Sequence, residues 1–345
     1  MKMKHNRWMM ASLLGGALLL SAGCVQEKSV ETGGIPGTRI VFAAMTNYEN
    51  NEDTRTEYSG VLYGTTDKIE RIDWVAGTDK FTVNYAAGSS FTTADYLVTS
   101  VNADNYNSKA GVTENNKAEI LQWAEGSDHK FYAMYPPHSV NSTASLTSVN
   151  HFQATLPAAQ PQTHQKNVTV NGKTWSRYLP DMNNAYMVAY AGTDNGMVTS
   201  AGVTLPFRPA VTTFEFRLRR NKDEDGGNIQ YFKLKSAGHA LTGQFSFNIT
   251  GGDNRGGLWE NSGITVETKT DANSVITVDF GAEGVALPAY DADGYLDFTV
   301  FAVPKTENVG DLSIELIEVG GTKRELPLKD KDASGEFTNY HQFTG

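Results

Sequence analysis

Apolar and polar residues alternate along much of this chain with a period of two. The clearest examples lie at residues 81–85, 214–219, 245–249, 276–280, 296–300 and 312–316. A period of two buries one face of a strand and leaves the opposite face in water. The pattern therefore predicts an all-β protein whose strands form antiparallel sandwich layers.

Turn residues separate the predicted strands, and helical signals are few. Clusters of Gly, Asp and Asn occur at residues 225–227, 251–254, 291–294 and 320–321. These residue types favour tight turns, because they tolerate or stabilise the backbone angles that turns require. One segment, Glu114–Glu125, places Ile120, Leu121 and Trp123 at spacings that predict a short surface helix.

The length of 345 residues suggests two domains of ordinary size. Residues 186–192 predict a closing strand, a link with Gly and Ser follows it, and a new strand begins at Val203. We therefore expect an N-terminal domain at residues 39–197 and a C-terminal domain at residues 198–345. Each is expected to be a β-sandwich with few short helices.

The first 38 residues predict an export signal followed by a tether. Basic residues precede an apolar run at 8–20, and small residues then lead directly to Cys24. Residues 1–23 resemble a bacterial lipoprotein signal peptide, which implies that Cys24 becomes the lipidated first residue of the mature protein. The alternative is an ordinary secreted protein with a free cysteine. Residues 24–38 contain Gly33-Gly34 and Pro36-Gly37 and are expected to form a flexible tether.

Charge and cysteine content exclude several kinds of function. The formal net charge is −10. Without the first 23 residues, the chain has 26 basic and 39 acidic side chains, which gives a net charge of −13. An acidic chain without a Lys/Arg cluster is unsuited to phosphate backbones, so no nucleic-acid partner is expected. A single cysteine can form neither an intramolecular disulfide nor a thiolate metal site.

No catalytic motif stands out in the sequence. The histidines outside the leader do not show metal-ligand spacing, and no G-x-S-x-G element is present. Residues 221–226 resemble the start of a calcium loop, but Phe232 occupies the position where that loop needs a glutamate. We therefore expect no enzymatic activity, no metal and no cofactor, with a secreted hydrolase as the minor alternative.

Landmarks in a fixed order resemble the fimbrillin family, the lipoprotein precursors of type V pili. After the leader they are residues 40–44, 54–60, 72–85, 131–136, 156–160, 203–211 and 301–304. The resemblance extends over most of the chain. It implies two transthyretin-like β-sandwich domains, a lipid anchor in the outer membrane, and a structural, adhesive role as a subunit of a fimbria on the cell surface.

The resemblance also implies how such subunits assemble. An arginine-specific protease removes the first strand after export, and a strand donated by another pilin subunit takes its place. Here the first strand is expected at Arg39–Met45, followed by a polar loop at 46–53. Arg55 is the candidate cleavage residue because it follows that loop, and the alternative is a plain turn arginine. Arg39 is a poorer candidate because cleavage there would leave the strand in place.

Two features leave the role within a fimbria open. Family members usually continue with a further strand beyond the region of Phe337, whereas this sequence closes with residues 341–345, and relatives include tip and anchor subunits as well as shaft subunits. The alternative function is a surface lipoprotein that binds glycans. Its stacking platforms would be Trp175, Tyr178 and Trp259, although aromatic residues in a sandwich are more often part of the core.

Overall fold

The protein is built from β-strands throughout the part of the chain that the structure describes. The structure is a computed structural model, and it describes residues 33–46, 57–63, 69–88, 90–101, 107–112, 121–126, 128–170, 172–221, 226–249, 264–304, 312–327 and 343–344. Within these ranges turns join the strands, and one short 3₁₀ helix occurs at Met182–Asn184. The predicted all-β fold is confirmed.

The strands are numbered in chain order. They are β1 (Phe42–Thr46), β2 (Glu57–Tyr63), β3 (Ile69–Asp73), β4 (Lys80–Ala87), β5 (Ser90–Val101), β6 (Asn107–Val112), β7 (His129–Tyr135), β8 (Ala144–Leu146), β9 (His151–Leu156), β10 (Gln162–Val170), β11 (Lys173–Pro180), β12 (Met187–Gly192), β13 (Val198–Thr199), β14 (Gly202–Pro209), β15 (Thr212–Leu218), β16 (Ile229–Ser236), β17 (Gly243–Asn248), β18 (Thr265–Val266), β19 (Val275–Asp279), β20 (Leu296–Ala302), β21 (Leu312–Glu318), β22 (Lys323–Pro327) and β23 (Phe343–Thr344).

Hydrogen bonds group these strands into sheets. The main sheet has the order β1-β6-β5-β4-β7-β12-β14-β13, and β1 also pairs with β14, so that seven of its strands form a closed ring. The second sheet has the order β10-β11-β20-β15-β23, the third β19-β16-β21-β22, and the fourth β18-β17-β9-β8. Strands β2 and β3 form a separate hairpin. The six strands predicted from alternation lie in β4, β15, β17, β19, β20 and β21.

Aromatic side chains fill the interior of the main sheet. Phe81, Phe131 and Phe207 have no solvent exposure, and the Phe81 and Phe207 ring centroids are 5.3 Å apart. The rings of Tyr85 and Phe131 stack with centroids 4.6 Å apart. Each fully buried aromatic side chain contributes roughly 1.5–3 kcal/mol through removal of apolar surface from water. The main sheet therefore encloses a hydrophobic core of its own.

Two further cores lie between sheets. The outer face of the main sheet contributes Met134 and Val188, which pack with Phe152 and Phe245 of the fourth sheet. This arrangement buries both faces of β12 and explains why its sequence is apolar without alternation. The other core lies between the second and third sheets and centres on phenylalanine side chains such as Phe298. The layers are therefore sandwiches, as the alternation pattern predicts.

Strands from the two halves of the chain pair with each other. Strand β14 belongs to the main sheet, β9 pairs with β17 of the fourth sheet, and β11 meets β20 at Arg177 and Asp297. The domain boundary near residue 197 stays a prediction. Any such boundary has to accommodate these pairings across it.

The predicted helix at Glu114–Glu125 is wrong for its described part. Residues 113–120 lie outside the described residues, and Leu121 and Trp123 are in extended pairing with the segment that precedes β1. The Ile40 amide donates to the Leu121 carbonyl at 3.0 Å, and the Trp123 amide donates to the Thr38 carbonyl at 2.9 Å. Leu121 and Trp123 therefore bury their side chains from an extended segment, two residues apart, which helical spacing does not describe.

A buried ion network joins β11, β15 and β20. Arg177 is 1% exposed, and its Nε lies 3.4 Å from Oδ1 of the fully buried Asp297. Arg217 Nε lies 3.1 Å from Oδ2 of the same carboxylate, and Glu215 lies 3.4 Å from Arg177 Nη2. Buried charges are tolerated when each one has such partners. Arg177 and Asp297 are far apart in the sequence, so the network links distant parts of the chain.

The substitution Asp297→Ala tests this network. We expect a loss of about 3–5 kcal/mol in the free energy of unfolding, because Arg177 then stays buried with Glu215 as its remaining carboxylate partner and without the fully buried one. The matched control is Asp293→Ala, which removes an exposed ion pair with Lys173 and is expected to cost about 0–1 kcal/mol. Urea denaturation of both variants gives the comparison. Equal losses would contradict a central role for Asp297.

Candidate functional site: the first strand and its seam

The first strand closes the ring of the main sheet. Phe42–Thr46 pairs in parallel with Val203–Phe207 of β14, and residues 42–45 pair antiparallel with residues 107–110 of β6. The sequence predicts the strand at Arg39–Met45, and the structure begins it three residues later. Without β1, the edges of β6 and β14 that face it would have no partner along this stretch, and the ring would be open.

Alternate residues of this segment point into the core. Ile40, Phe42 and Ala44 are 2%, 0% and 0% exposed, whereas Val41 is 53% exposed. Ala43 and Met45 are half-buried. One face of the segment is therefore part of the core and the other face borders solvent, as expected for a strand at the surface of a closed sheet.

Phe42 is the anchor of the segment. Its ring centroid lies 4.7 Å from that of Tyr96 and 5.6 Å from that of Phe131, in tilted and edge-to-face geometry. Both geometries are favourable for aromatic pairs. Removal of β1 would therefore leave an apolar slot lined by these rings, with open backbone groups on β6 and β14 on either side. We call this slot and its two flanking strands the β1 seam.

Gly202 permits the close approach of the chain that leads into β1. Its φ is +152°, and a Cβ at this position would lie 2.6 Å from the Val41 carbonyl oxygen. The same carbonyl accepts a hydrogen bond from the Val203 amide at 2.9 Å. A side chain at residue 202 would therefore collide with the backbone that enters the seam. The sequence shows a glycine at the start of this strand, but no local signal indicates that Val41 packs on it.

Several residues before β1 contact the folded body, although the side chains of residues 35–39 are exposed. Gly33 is buried against His129, and Gly34 lies so close to Trp123 that a side chain there would overlap its indole ring. The Gly37 amide donates to the Trp123 carbonyl at 2.8 Å. Residues 33–38, which the sequence assigns to a flexible tether, therefore pair with the folded body in the structure.

The candidate sites fall in different places. Cys24, Arg55 and Trp259 lie outside the described residues. Arg39 is exposed and forms a backbone bridge with Gln122 just before β1. Trp175 is on β11, in the second sheet, and is half-buried.

Tyr178 also belongs to the second sheet. Its ring packs edge-on to Phe280 at a centroid distance of 5.5 Å, beside the core between the second and third sheets. Burial raises the pKa of its phenol.

His129, His138 and His151 take part in hydrogen bonds within the fold. His129 Nδ1 lies 2.7 Å from the Tyr85 hydroxyl, and His138 Nδ1 lies 2.9 Å from the Ala144 carbonyl. His151 Nδ1 lies 2.9 Å from the side-chain oxygen of Asn248. Within the described ranges, no group of three or more His, Cys, Asp or Glu side chains is placed to hold a metal ion. Helices long and apolar enough to cross a membrane are absent from that part of the chain.

Tyr96 borders the β1 seam and keeps its proton to high pH. Burial raises the pKa of this phenol to about 12, against a smaller lowering by the Leu121 amide, which donates to its oxygen at 3.2 Å. In an unfolded chain the pKa is about 10. The neutral phenol is therefore favoured by the fold, and its contribution to stability is complete below pH 10 and is lost as pH rises toward 12.

Gly202→Ala is expected to displace the first strand. The new methyl group collides with the Val41 carbonyl, so we expect faster amide exchange in residues 42–46 and a loss of stability of more than about 1–2 kcal/mol. Gly196→Ala is the matched control, because its φ is +74° but a Cβ there meets nothing within 4 Å. Hydrogen exchange with mass spectrometry measures the rate of amide exchange in residues 42–46 of both variants. Equal exchange in β1 would contradict the steric role of Gly202.

The free energy of unfolding is expected to fall between pH 10 and pH 12. Tyr96 accounts for about 2–3 kcal/mol of this fall, since a pKa difference of one unit corresponds to about 1.4 kcal/mol. Urea titrations of the wild type and of Tyr96→Phe at pH 8, 10 and 11 measure it. The variant should lose less stability over this range than the wild type. The same fall in the free energy of unfolding with pH in both proteins would exclude Tyr96 as a cause of that fall.

Solved structures include proteins similar to this chain, whereas family models and curated protein sequences do not match it. No protein-family model matches this chain, and no curated protein matches it either. Two crystal structures, each described as a "putative cell adhesion protein", are similar to it. The one from Bacteroides ovatus is 15% identical with a TM-score of 0.48 and covers 84% of this chain and 86% of its own. The one from Bacteroides eggerthii is 11% identical with a TM-score of 0.36 and covers 88% and 83%. At these values neither likeness by itself assigns a family or a function.

Proposed function

We propose that this chain is a structural, adhesive subunit of a type V fimbria. It is exported as a lipoprotein, held at the outer membrane through Cys24, and assembled by protease-triggered strand exchange. The observation that carries the proposal is the placement of β1, a five-residue strand that fills a slot between β6 and β14. The resemblance of the sequence landmarks to fimbrillins supports the same reading.

The first strand is suited to replacement because little chain follows it before the candidate cleavage residue. Arg55 is nine residues beyond Thr46 in the sequence. Cleavage at Arg55 would leave β1 attached to the body only by hydrogen bonds and side-chain packing. A donated strand that makes more ladder bonds in the same slot than β1 and the paired residues just before it would displace them.

The seam also defines the chemistry of a donor strand. The native occupant presents Ile40, Phe42 and Ala44 to the core and the intervening residues to the outside. A donor therefore needs apolar residues at three alternate positions, with a large one at the centre to take the place of Phe42 beside Tyr96 and Phe131. Such a strand buries apolar area and completes two hydrogen-bonded ladders together, so its dissociation is slow.

Treatment of the full chain with an arginine-specific protease tests the proposal. We expect loss of the first 55 residues, followed by polymers that resist mild SDS. Mass spectrometry of the cleaved and intact chains gives the new N-terminus and the lipid on Cys24. Arg55→Gln should prevent both trimming and polymerisation, whereas Arg39→Gln should prevent neither.

A competing peptide shows whether polymerisation uses the seam. Excess peptide with the sequence of residues 39–46 should lower the polymer yield, and the same peptide with Phe42→Asp should not. A trimmed chain that stays monomeric at all concentrations would contradict a role in the fimbrial shaft.

A further inference from the structure

Three aromatic rings and one arginine form a row at one end of the second sheet, where β11 and β20 begin and β15 ends. The Trp175 and Tyr295 ring centroids are 5.4 Å apart at an angle of 68°. The guanidinium carbon of Arg219 lies 5.3 Å from the Tyr295 ring and 4.9 Å from the Tyr290 ring. We call these four side chains the aromatic row.

The row is held in place from below. The Trp175 indole N–H donates to Asp297 Oδ2 at 3.0 Å, and Asp297 is fully buried in the ion network with Arg177. Gly294 also lies close to the base of this side chain, since a Cβ there would lie 2.9 Å from the Trp175 Cβ. The tryptophan is therefore fixed before any ligand arrives, which lowers the entropic cost of binding.

The upper side of the row is accessible and carries a positive charge. Tyr290 is 49% exposed, Arg219 is exposed, and Trp175 and Tyr295 are half-buried. Among the residues that the structure describes, no carboxylate forms an ion pair with Arg219. Its guanidinium lies over the rings of Tyr290 and Tyr295. A guanidinium in that setting can still offer N–H groups to an external carboxylate in two-pronged geometry.

We propose that the aromatic row binds a carbohydrate chain that carries a carboxylate, such as a hexuronic or sialic acid residue. The exposed surface of the rings offers apolar contact to the C–H groups of sugars, and Arg219 offers its fork to the acid group. The inference does not depend on strand exchange, because the row lies in the second sheet and the β1 seam lies in the main sheet.

Other ligand classes fit the row less well. Aromatic rings with an arginine also bind single-stranded nucleic acids, but such sites follow the phosphate backbone with a groove of basic residues, whereas the row has one arginine for one acid group. A peptide that adds as a strand needs a free sheet edge. Trp175 is on β11, an inner strand of the second sheet, and Tyr295 directly precedes β20, another inner strand.

Binding of defined oligosaccharides to the full chain tests the proposal. The probes are oligogalacturonate and sialyllactose, with lactose as the neutral counterpart, measured by calorimetry at low and at physiological salt. We expect binding of at least one acidic probe and weaker binding of lactose. Arg219→Gln and Tyr290→Ala should each lower the affinity for the acidic probe by about tenfold or more. Arg219→Lys should bind the probe more tightly than Arg219→Gln and less tightly than the wild type.

Matched controls separate the row from general surface effects. Phe91→Ala removes a ring that is 48% exposed on β5, and Lys323→Gln removes an exposed charge on β22, so both should bind like the wild type. Thermal unfolding confirms that each variant is folded. The proposal is overturned if no acidic probe binds, if lactose binds equally well, or if the control variants lose as much affinity as the row variants.

Discussion

The pairing of the first strand on both of its sides is the constraint on which the main sheet depends. A seven-strand ring can close only if one strand meets both β6 and β14, and β1 does so with five residues. Strand β1 lies antiparallel to β6 and parallel to β14, and the parallel pairing joins Phe42 to Val203, far apart in the sequence. The ring is therefore closed by a pairing between distant parts of the chain.

The aromatic core inside the ring makes this closure specific. Phe42 meets Tyr96 on β5 and Phe131 on β7, so the strand is positioned by side chains as well as by its ladder. A slip of one residue would point Val41 and Ala43 inward and expose Phe42. Register in the seam is therefore determined by one large ring in an apolar slot, and Gly202 makes room for the chain to enter at that register.

The sequence predicts the strands well and their partners poorly. Alternation reports whether a residue faces the core, so segments such as 245–249 and 296–300 are visible without any tertiary information. Leu121 and Trp123 are also apolar and buried, but with Ile120 beside them they lie in a segment without clear alternation, and the pairing with residues 38–40 determines its extended form. That pairing joins residues about eighty positions apart, which local pattern does not encode.

The candidate sites show the same division. Trp175 can be picked out as an aromatic residue, but its anchorage on Asp297, its contact with Tyr295 and the proximity of Arg219 require the folded sheet. Likewise a glycine at residue 202 is visible in the sequence, and its contact with Val41 is not. Residue types can be predicted to suit a role; the three-dimensional neighbours that give them the role cannot.

The double pairing of the first strand has a mechanical consequence. Tension along the axis of a strand in this position acts across its hydrogen bonds to β6 and to β14 at the same time, in shear, and does not peel them apart one by one. The lifetime of this strand pairing under load is then governed by the rate at which all these hydrogen bonds break together. The same step must also pull the aromatic side chain at the position of Phe42 out of its slot. Whatever strand occupies the seam is therefore held most firmly against pulling along its own length.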